Sequence, residues 1–206
     1  MVYKTIISID DLKENLNNDN FLIFDSRCDI KDSGYGIDSY TEGHIPNSIF
    51  IDVDTDLASE KRPGTGRHPL PDPNTFSEKL SHWGMSNNKQ VVVYDDAGGA
   101  FAGRLWWMLK WLGHEAVAVL DGGLNSWVKG GNKLVTTPTV FEKAHFEPCV
   151  QENMIATVED VEEAQFKMNT ILLDARSKER YQGINDPVDP IAGHVPGAIS
   201  HPLGTT

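Results

Sequence analysis

The chain has 206 residues, of which 39% are hydrophobic and 23% charged, so it has the length of one or two packed domains and a composition that excludes global disorder. Thirty acidic against eighteen basic residues give a net charge of −12, which argues against a nucleic-acid or anionic-membrane partner. Two cysteines exclude a disulfide scaffold or a four-cysteine zinc site, and the acidic N-terminus is unlike a signal peptide, so we expect a soluble, cytoplasmic protein.

Short apolar runs alternate with amphipathic segments along the first part of the chain. In chain order they predict a helix beginning after Ser8, strands over residues 21–24 and 91–94, a helix over 101–112, a strand over 116–120 and a short helix over 124–128. Strands that are apolar on every residue are typical of a parallel sheet, because crossover helices cover both of its faces. We therefore predict an α/β fold with a parallel β-sheet covered by helices on both faces.

The sequence contains an internal repeat, since three short motifs recur in the same order roughly 150 residues later. The recurring pairs are residues 8–12 and 157–161, 24–27 and 173–176, and 43–49 and 193–199. A period this long indicates duplicated domains and not a solenoid. We expect a first domain over residues 1–131, a linker over 132–153 and the N-terminal part of a second domain over 154–206. For residues 139–141 the alternative is an extra edge strand of the first domain.

Two neighbouring carboxylates mark the turn after the strand over residues 91–94. Asp95 and Asp96 stand at the carboxyl end of that strand, where parallel α/β sheets place their functional groups, and Gly98 and Gly99 follow them. Glycines let backbone N–H groups converge, and the dipole of the next helix adds positive potential, so this loop suits an anion. From these residues alone, the aspartates could form a metal or phosphoryl-transfer site, or one of them could cap the helix.

Taken together, the motifs resemble those of the rhodanese family. They are Asp-x-Arg after a strand (residues 25–27), Gly-His-Ile-Pro before the next strand (43–46) and Val-Leu-Asp-Gly-Gly-Leu-Asn-Ser-Trp (119–127). The tandem arrangement resembles the two-domain thiosulfate and 3-mercaptopyruvate sulfurtransferases. Residues 186–192 contain no arginine, and in this they resemble the bacterial-type members. We expect the second domain to be truncated at Thr206. The resemblance implies a rhodanese-like domain followed by a partial second copy.

This resemblance implies an enzyme that moves sulfane sulfur from thiosulfate or 3-mercaptopyruvate to cyanide or a thiol, through a cysteine persulfide and without a cofactor. The first domain is expected to be the inactive copy, because Asp96 matches the position of the nucleophilic cysteine and a carboxylate cannot accept a sulfane sulfur. The cysteine itself is expected beyond the end of this chain, which as given should be inactive. Cys28 and Cys149 match no catalytic position of the family, and we expect neither to be a nucleophile.

Three further residues match functional positions of the family. Arg180 matches the arginine that binds the anionic group of the donor, because a guanidinium can grip a carboxylate or thiosulfate oxygens in two places; the alternative for it is a surface ion pair. Asp54 and His68 match a pair that assists a serine of the catalytic loop in mercaptopyruvate-specific members. A carboxylate that orients an imidazole poised near neutral pH fits such a supporting catalytic role.

Residues that recur in both copies are expected to be structural. Arg27 and Arg176 each follow a strand-end aspartate by two positions, and we expect each to pair with a carboxylate within its own domain. His44 and His194 occupy the same position of the repeated Gly-His motif, and we expect both to close the loop before a strand.

Two other functions remain open on the sequence. One is a catalytically inactive, rhodanese-like binding or regulatory module that is complete at Thr206. The other is a carboxylate-based hydrolase or phosphotransferase that uses Asp95 and Asp96. Continuation of the reading frame into a cysteine-containing loop would favour the sulfurtransferase over the module.

Overall fold

The computed structural model describes residues 1–184, 186 and 191–203. These residues form two compact units, Met1–Gln151 and Glu152–Thr206. Among the helices described, none is long and apolar enough to cross a membrane.

Helices and strands alternate along both units. The elements of the first unit are, in chain order, β1 (Ile6–Ile7), α1 (Ile9–Asn15), β2 (Phe21–Asp25), α2 (Tyr35–Glu42), β3 (Ser48–Phe50), α3 (Pro73–His82), β4 (Gln90–Tyr94), α4 (Ala102–Trp111), β5 (Val117–Leu120) and α5 (Gly123–Lys129). The second unit has a 3₁₀ turn (Glu152–Met154), followed by α6 (Val158–Ala164), β6 (Leu173–Asp174), α7 (Lys178–Gln182) and β7 (Ile199–Ser200).

A five-stranded sheet in the order β1-β5-β4-β2-β3 forms the centre of the first unit, and all of its strand pairs are parallel. The central strand, β4, is buried along its whole length, as its continuous apolar run predicts. Helices flank this sheet. The predicted α/β fold with a parallel sheet is therefore confirmed.

The structure adds helices that the apolar patterns do not predict. α3 begins at Pro73, because Asp72 accepts a hydrogen bond from the N–H of Thr75 (2.9 Å) and proline suits the first helical position. α2 buries only Gly36 and Tyr40, so its sequence carries no continuous apolar stripe that would reveal a helix.

Residues 132–151 lie in the first unit, where the sequence predicts a linker. Val135 and His44 exchange backbone hydrogen bonds in both directions, each 2.9 Å long. Further along, the N–H of Cys149 donates to a carbonyl at the end of α4 (2.9 Å). The segment is held by the first unit because its backbone groups find their partners there. The alternative edge strand over residues 139–141 is not formed.

A buried ion pair closes the carboxyl end of β2. Arg27 donates from Nε to both oxygens of Asp25 (3.0 Å each) and from Nη2 to Oδ2 (2.6 Å), and Nη2 also donates to the carbonyl of Gly43 (2.8 Å). Tyr94 Oη donates to the same carboxylate (2.7 Å), and burial raises the pKa of this phenol, which keeps it protonated. Asp25 is completely buried, so these bonds are needed to offset the loss of its hydration.

The second unit repeats this set of contacts. Arg176 donates from Nε to Asp174 Oδ1 (3.0 Å) and from Nη2 to Oδ2 (2.6 Å), and Nη2 also donates to the carbonyl of Gly193 (2.6 Å). Hydrogen bonds from the guanidinium lower the pKa of the Asp174 carboxyl. The structural role predicted for Arg27 and Arg176 is therefore confirmed.

The two repeated histidines also make matching contacts. His44 stacks on Tyr40 with 3.8 Å between ring centroids, and its Nδ1 lies 2.8 Å from the Tyr40 carbonyl. His194 stacks on Tyr181 at 3.8 Å, and its Nδ1 lies 2.7 Å from the Tyr181 carbonyl. Because a carbonyl can only accept, Nδ1 is the donor in both rings. These shared contacts confirm that both histidines are structural.

We predict that a protease at limiting concentration cuts within residues 152–203 before it cuts the first unit. Every fully buried apolar side chain of the described residues lies at or before Phe146, whereas Phe166 and Met168 are exposed (87% and 101%). In the described part of the second unit the sheet has two strands of two residues each, so opening it costs little free energy. Mass spectrometry should find a first stable fragment that ends near Gln151; an initial cut inside α3 or α4 would contradict the prediction.

Candidate functional site

The loop between β4 and α4, here called the amide loop, closes around the side chain of Asp95. Oδ1 accepts hydrogen bonds from the N–H groups of Ala97 (3.0 Å) and Gly99 (2.8 Å), and Oδ2 accepts from those of Phe101 and Ala102 (2.9 Å each). Gly99 has a φ of +89°, a conformation that glycine adopts without strain. Asp95 is 1% exposed. The amide loop is therefore an anion site occupied by a carboxylate of the chain itself.

Asp96 was the residue expected to match the nucleophile, but it makes no hydrogen bond with the N–H groups of the amide loop in the part of the chain that the structure describes. Its carboxylate accepts a hydrogen bond from Tyr35 Oη, and its carbonyl accepts one from Asn125 Nδ2 (3.0 Å). The carboxylate that fills the anion site of this loop is therefore that of Asp95, and the match of Asp96 to the nucleophile position stays a prediction. Successive side chains at a strand end point to opposite faces, and motif spacing alone does not distinguish them.

Both aspartates are engaged with the protein itself, Asp95 with four backbone N–H groups and Asp96 with Tyr35. Within residues 1–184, 186 and 191–203, no group of three or more His, Cys, Asp or Glu side chains is arranged to hold a metal ion. These contacts give no support to the carboxylate-based hydrolase or phosphotransferase.

The structure brings together the predicted pair of Asp54 and His68. His68 Nε2 lies 2.7 Å from Asp54 Oδ1. Because an ionised carboxylate can only accept, Nε2 carries the hydrogen and donates it, and the neutral ring then has its lone pair on Nδ1. The two side chains are 22% and 41% exposed, so the pair is accessible to a small molecule. This is the arrangement in which an imidazole can accept a proton from a hydroxyl.

A tight turn after β3 holds Asp54 in place. Asp52 Oδ1 accepts hydrogen bonds from the N–H groups of Asp54 (2.7 Å) and Thr55 (2.9 Å). The carbonyl of Asp52 accepts from the N–H groups of Asp56 (2.9 Å) and Leu57 (3.0 Å). Asp52 is not among the residues predicted from the sequence, although an aspartate that bonds the backbone two residues on is a typical turn signal.

Arg180 lies in α7 and pairs with Asp186. Its Nε donates to Asp186 Oδ1 (3.0 Å), and the two side chains are 23% and 1% exposed. Arg180 is therefore ion-paired in the structure, but with a buried carboxylate and not in a surface ion pair, and its guanidinium is still partly accessible. The absence of arginine from residues 186–192 indicated the bacterial type. Within that segment, residues 187–190 lie outside the described residues.

Neither cysteine lies in the environment of a thiolate nucleophile. Burial, together with the nearby carboxylates of Asp54 and Asp52, raises the pKa of Cys28 to about 11. Arg27, the cation next to it in sequence, is held by its own buried ion pair. Cys149 is exposed and lies outside the amide loop. A thiol with a raised pKa stays protonated at neutral pH and is a poor nucleophile.

A family model for the rhodanese-like domain matches residues 8–130 of this chain. The chain is 38% identical over 195 residues to the "Probable 3-mercaptopyruvate sulfurtransferase" of Pseudomonas aeruginosa, in an alignment that covers 94% of this chain and 69% of that protein. It is 33% identical over 171 residues to the "Thiosulfate sulfurtransferase" of Rattus norvegicus, which covers 80% of this chain and 56% of the rat protein.

A solved structure, the 3-mercaptopyruvate sulfurtransferase from Leishmania major, superposes on this chain with a TM-score of 0.84 at 29% sequence identity. The superposition covers 97% of this chain and 54% of that chain. The chain therefore spans little more than half the length of the rat and Leishmania proteins.

We predict that Asp95→Asn destabilises the first unit far more than Asp96→Asn does. Asparagine keeps one acceptor oxygen but turns an NH₂ donor toward backbone N–H groups, which leaves buried donors without an acceptor. A hydrogen bond to a charged group contributes about 1.5–3 kcal/mol, so Asp95→Asn should lower the free energy of unfolding by about 3–5 kcal/mol and Asp96→Asn by about 1 kcal/mol. Urea denaturation measures both values. Equal losses would show that the amide loop does not depend on Asp95.

We predict that iodoacetamide at neutral pH alkylates Cys149 well before Cys28, because only the thiolate reacts and the raised pKa keeps Cys28 protonated. The rate at Cys28 should keep rising until the pH approaches about 11. Asp54→Asn should increase this rate by removing a nearby negative charge, which lowers the pKa of the thiol. Peptide mapping by mass spectrometry resolves the two sites, and rapid labelling of Cys28 at neutral pH would contradict the assignment.

Proposed function

The chain belongs to the rhodanese family, and from this premise we propose that it acts as a sulfurtransferase. The proposed reaction moves sulfane sulfur from thiosulfate or 3-mercaptopyruvate to a thiophilic acceptor, cyanide or a thiol, through a cysteine persulfide. The relatives named as 3-mercaptopyruvate and thiosulfate sulfurtransferases support this class of activity. We propose that it works in the cytoplasm on small molecules, with neither a nucleic acid nor a membrane as partner.

The observation that carries the proposal is the hydrogen bond between His68 and Asp54, in a chain that is 38% identical to a relative named as a 3-mercaptopyruvate sulfurtransferase. The carboxylate fixes the tautomer of the ring, so its lone pair is held on Nδ1. In the proposed reaction this imidazole accepts a proton from a serine hydroxyl of the catalytic loop, as the family resemblance implies. The role is a supporting one, because no sulfur is carried by the pair.

Arg180 is the proposed binding residue for the donor. Thiosulfate and 3-mercaptopyruvate are both anions, and a guanidinium held in one orientation by a buried carboxylate, here Asp186, presents a planar fork to a further anion. The donor's negative charge would also lie beside a cation that is only partly exposed, where solvent screens the attraction less than at an open surface.

The sulfur-carrying cysteine is proposed to be neither Cys28 nor Cys149. A persulfide carrier needs a thiolate at neutral pH, and Cys28, with a pKa of about 11, is protonated there. The amide loop of the first unit has the donors that would stabilise such a thiolate, but Asp95 already accepts from them. We therefore propose that the cysteine lies in the part of the relatives' length that this chain does not span.

A binding or regulatory module without catalytic activity is the second candidate. The observation that favours it is the saturation of the amide loop by Asp95, which leaves that loop unable to hold a persulfide. The sulfurtransferase requires that the reading frame continue into a cysteine-containing loop, and the two candidates then differ in whether the protein so encoded turns over a sulfur donor.

We predict that the 206-residue chain has no sulfurtransferase turnover, because binding without a nucleophile lowers no chemical barrier. The protein encoded by the continued reading frame should form thiocyanate from thiosulfate and cyanide, or release sulfide from 3-mercaptopyruvate with a thiol. In that protein, Arg180→Ala should raise KM for the donor at least tenfold and change kcat little, since it removes binding that the ground state and the transition state share.

Lys178→Ala is the matched control, because it removes a positive charge from an exposed position of the same helix. It should leave KM unchanged. Turnover by the 206-residue chain that is lost in Cys28→Ser would make Cys28 the sulfur carrier, and a continued protein that turns over neither donor would favour the binding module.

A further inference from the structure

Arg104, in the first turn of α4, reaches the chain segment that carries the Asp54–His68 pair. It donates from Nε and Nη2 to the carbonyl of Leu57 (3.1 and 2.7 Å) and from Nη2 to the carbonyl of His68 (3.0 Å). Burial lowers its pKa, and it forms no ion pair with any residue that the structure describes. Partial burial removes some of the hydration of this cation, and the hydrogen bonds to the two carbonyls offset that loss. The Arg104 side chain therefore links the backbone at Leu57 to the backbone at His68.

The chain between these two carbonyls is an exposed loop. Residues 60–66 are exposed and contain neither helix nor strand. The loop closes where the N–H of Ser59 donates to the carbonyl of Pro69 (2.9 Å). Arg104 bonds to the chain at both ends of the loop through one rigid, planar group, so it fixes the two ends relative to each other.

The two ends carry the two members of the pair. Leu57 ends the turn that holds Asp54, because its N–H donates to the Asp52 carbonyl (3.0 Å). His68 is bonded to Arg104 through its own carbonyl. A shift of either end would change the distance between Nε2 and the Asp54 carboxylate, and a hydrogen bond of 2.7 Å tolerates little change.

We propose that Arg104 is a positioning residue that holds His68 Nε2 in hydrogen-bonding distance of Asp54 and so keeps the lone pair of the neutral ring on Nδ1. Its importance for turnover rests on the proposed function, whereas its effect on the imidazole concerns the first unit alone. Arg104 acts through the backbone of His68 and touches no reacting atom.

The test in the 206-residue chain is the ring tautomer of His68, read from long-range ¹H–¹⁵N correlations at about pH 8, where an ordinary imidazole is neutral. The unmodified chain should show the Nε2–H tautomer alone. Arg104→Met should give a mixture of both tautomers, as Asp54→Asn should. Lys110→Met, which removes a cation from the other end of the same helix, should change nothing. The ring signals of His44, bonded to the Tyr40 carbonyl, report that each variant is folded.

An unchanged His68 tautomer in folded Arg104→Met would overturn the proposal, whatever happens to the free energy of unfolding. If Arg104→Met loses the His44 reference signals, Arg104→Lys takes its place. Lysine keeps the charge but lacks the planar fork that reaches both carbonyls, so it should give an intermediate tautomer mixture. A native tautomer in Arg104→Lys would then overturn the proposal.

A turnover assay distinguishes failure of the positioning role of Arg104 from failure of the proposed function. In the protein encoded by the continued reading frame, Arg104→Met should lower kcat/KM for 3-mercaptopyruvate on the order of tenfold to a hundredfold, as small misplacements of catalytic groups do. Added to His68→Gln, it should cause little further loss, because both changes act through one imidazole. Full additivity would overturn the proposal. If His68→Gln alone leaves turnover unchanged, the proposed role of the pair fails, and the tautomer of His68 still decides the role of Arg104.

Discussion

The buried ion pair of Asp25 and Arg27 is the contact on which the arrangement of the first unit depends. A buried pair is stabilising only where further hydrogen bonds satisfy both charges, and here the Gly43 carbonyl and Tyr94 Oη provide them. These bonds join the end of β2 to the end of β4 and to the loop that leads into β3. The candidate residues follow from that junction: Asp95 comes directly after Tyr94, and the turn of Asp54 comes directly after β3. Removing Arg27 would leave the buried carboxylate of Asp25 without a counter-charge at the carboxyl end of β2.

The internal repeat separates residues that maintain the fold from residues that carry chemistry. The aspartate–arginine pair and the tyrosine–histidine stack occur in both units with nearly the same distances. A contact that two copies need equally is a requirement of the fold. The pair of Asp54 and His68 lies in the first unit and Arg180 in the second, and none of the repeated motifs contains them. The function that we propose therefore rests on residues outside the motifs that the two copies share.

Much of the fold could be predicted from the sequence because its signals are local. The run over residues 91–94 identifies the central strand, whose every residue is buried. The sequence did not predict that residues 132–151 belong to the first unit. Their hydrogen-bonding partners are distant in sequence, as His44 is from Val135, and the bonds join backbone groups, so no side-chain pattern indicates them. The pairing of Asp54 with His68 came from the family resemblance, and no periodicity would have supplied it. Whether Asp95 or Asp96 accepts from the N–H groups of the amide loop depends on the direction of each side chain at the strand end. The spacing of a motif does not contain that information.

The amide loop of the first unit differs from a catalytic loop, in the function that we propose, by the anion that it holds. Four backbone N–H groups that converge on one point form an anion-binding site, and an anion there satisfies all four donors. In a catalytic loop the anion would be a thiolate, which must remain exposed enough to react. In the first unit the anion is the carboxylate of Asp95, which is 1% exposed and is part of the chain itself. The hydrogen bonds that it accepts from the N–H groups of Phe101 and Ala102 tie the end of β4 to the first turn of α4. That turn carries Arg104, so in the positioning role that we propose for Arg104, Asp95 helps to hold His68 against Asp54.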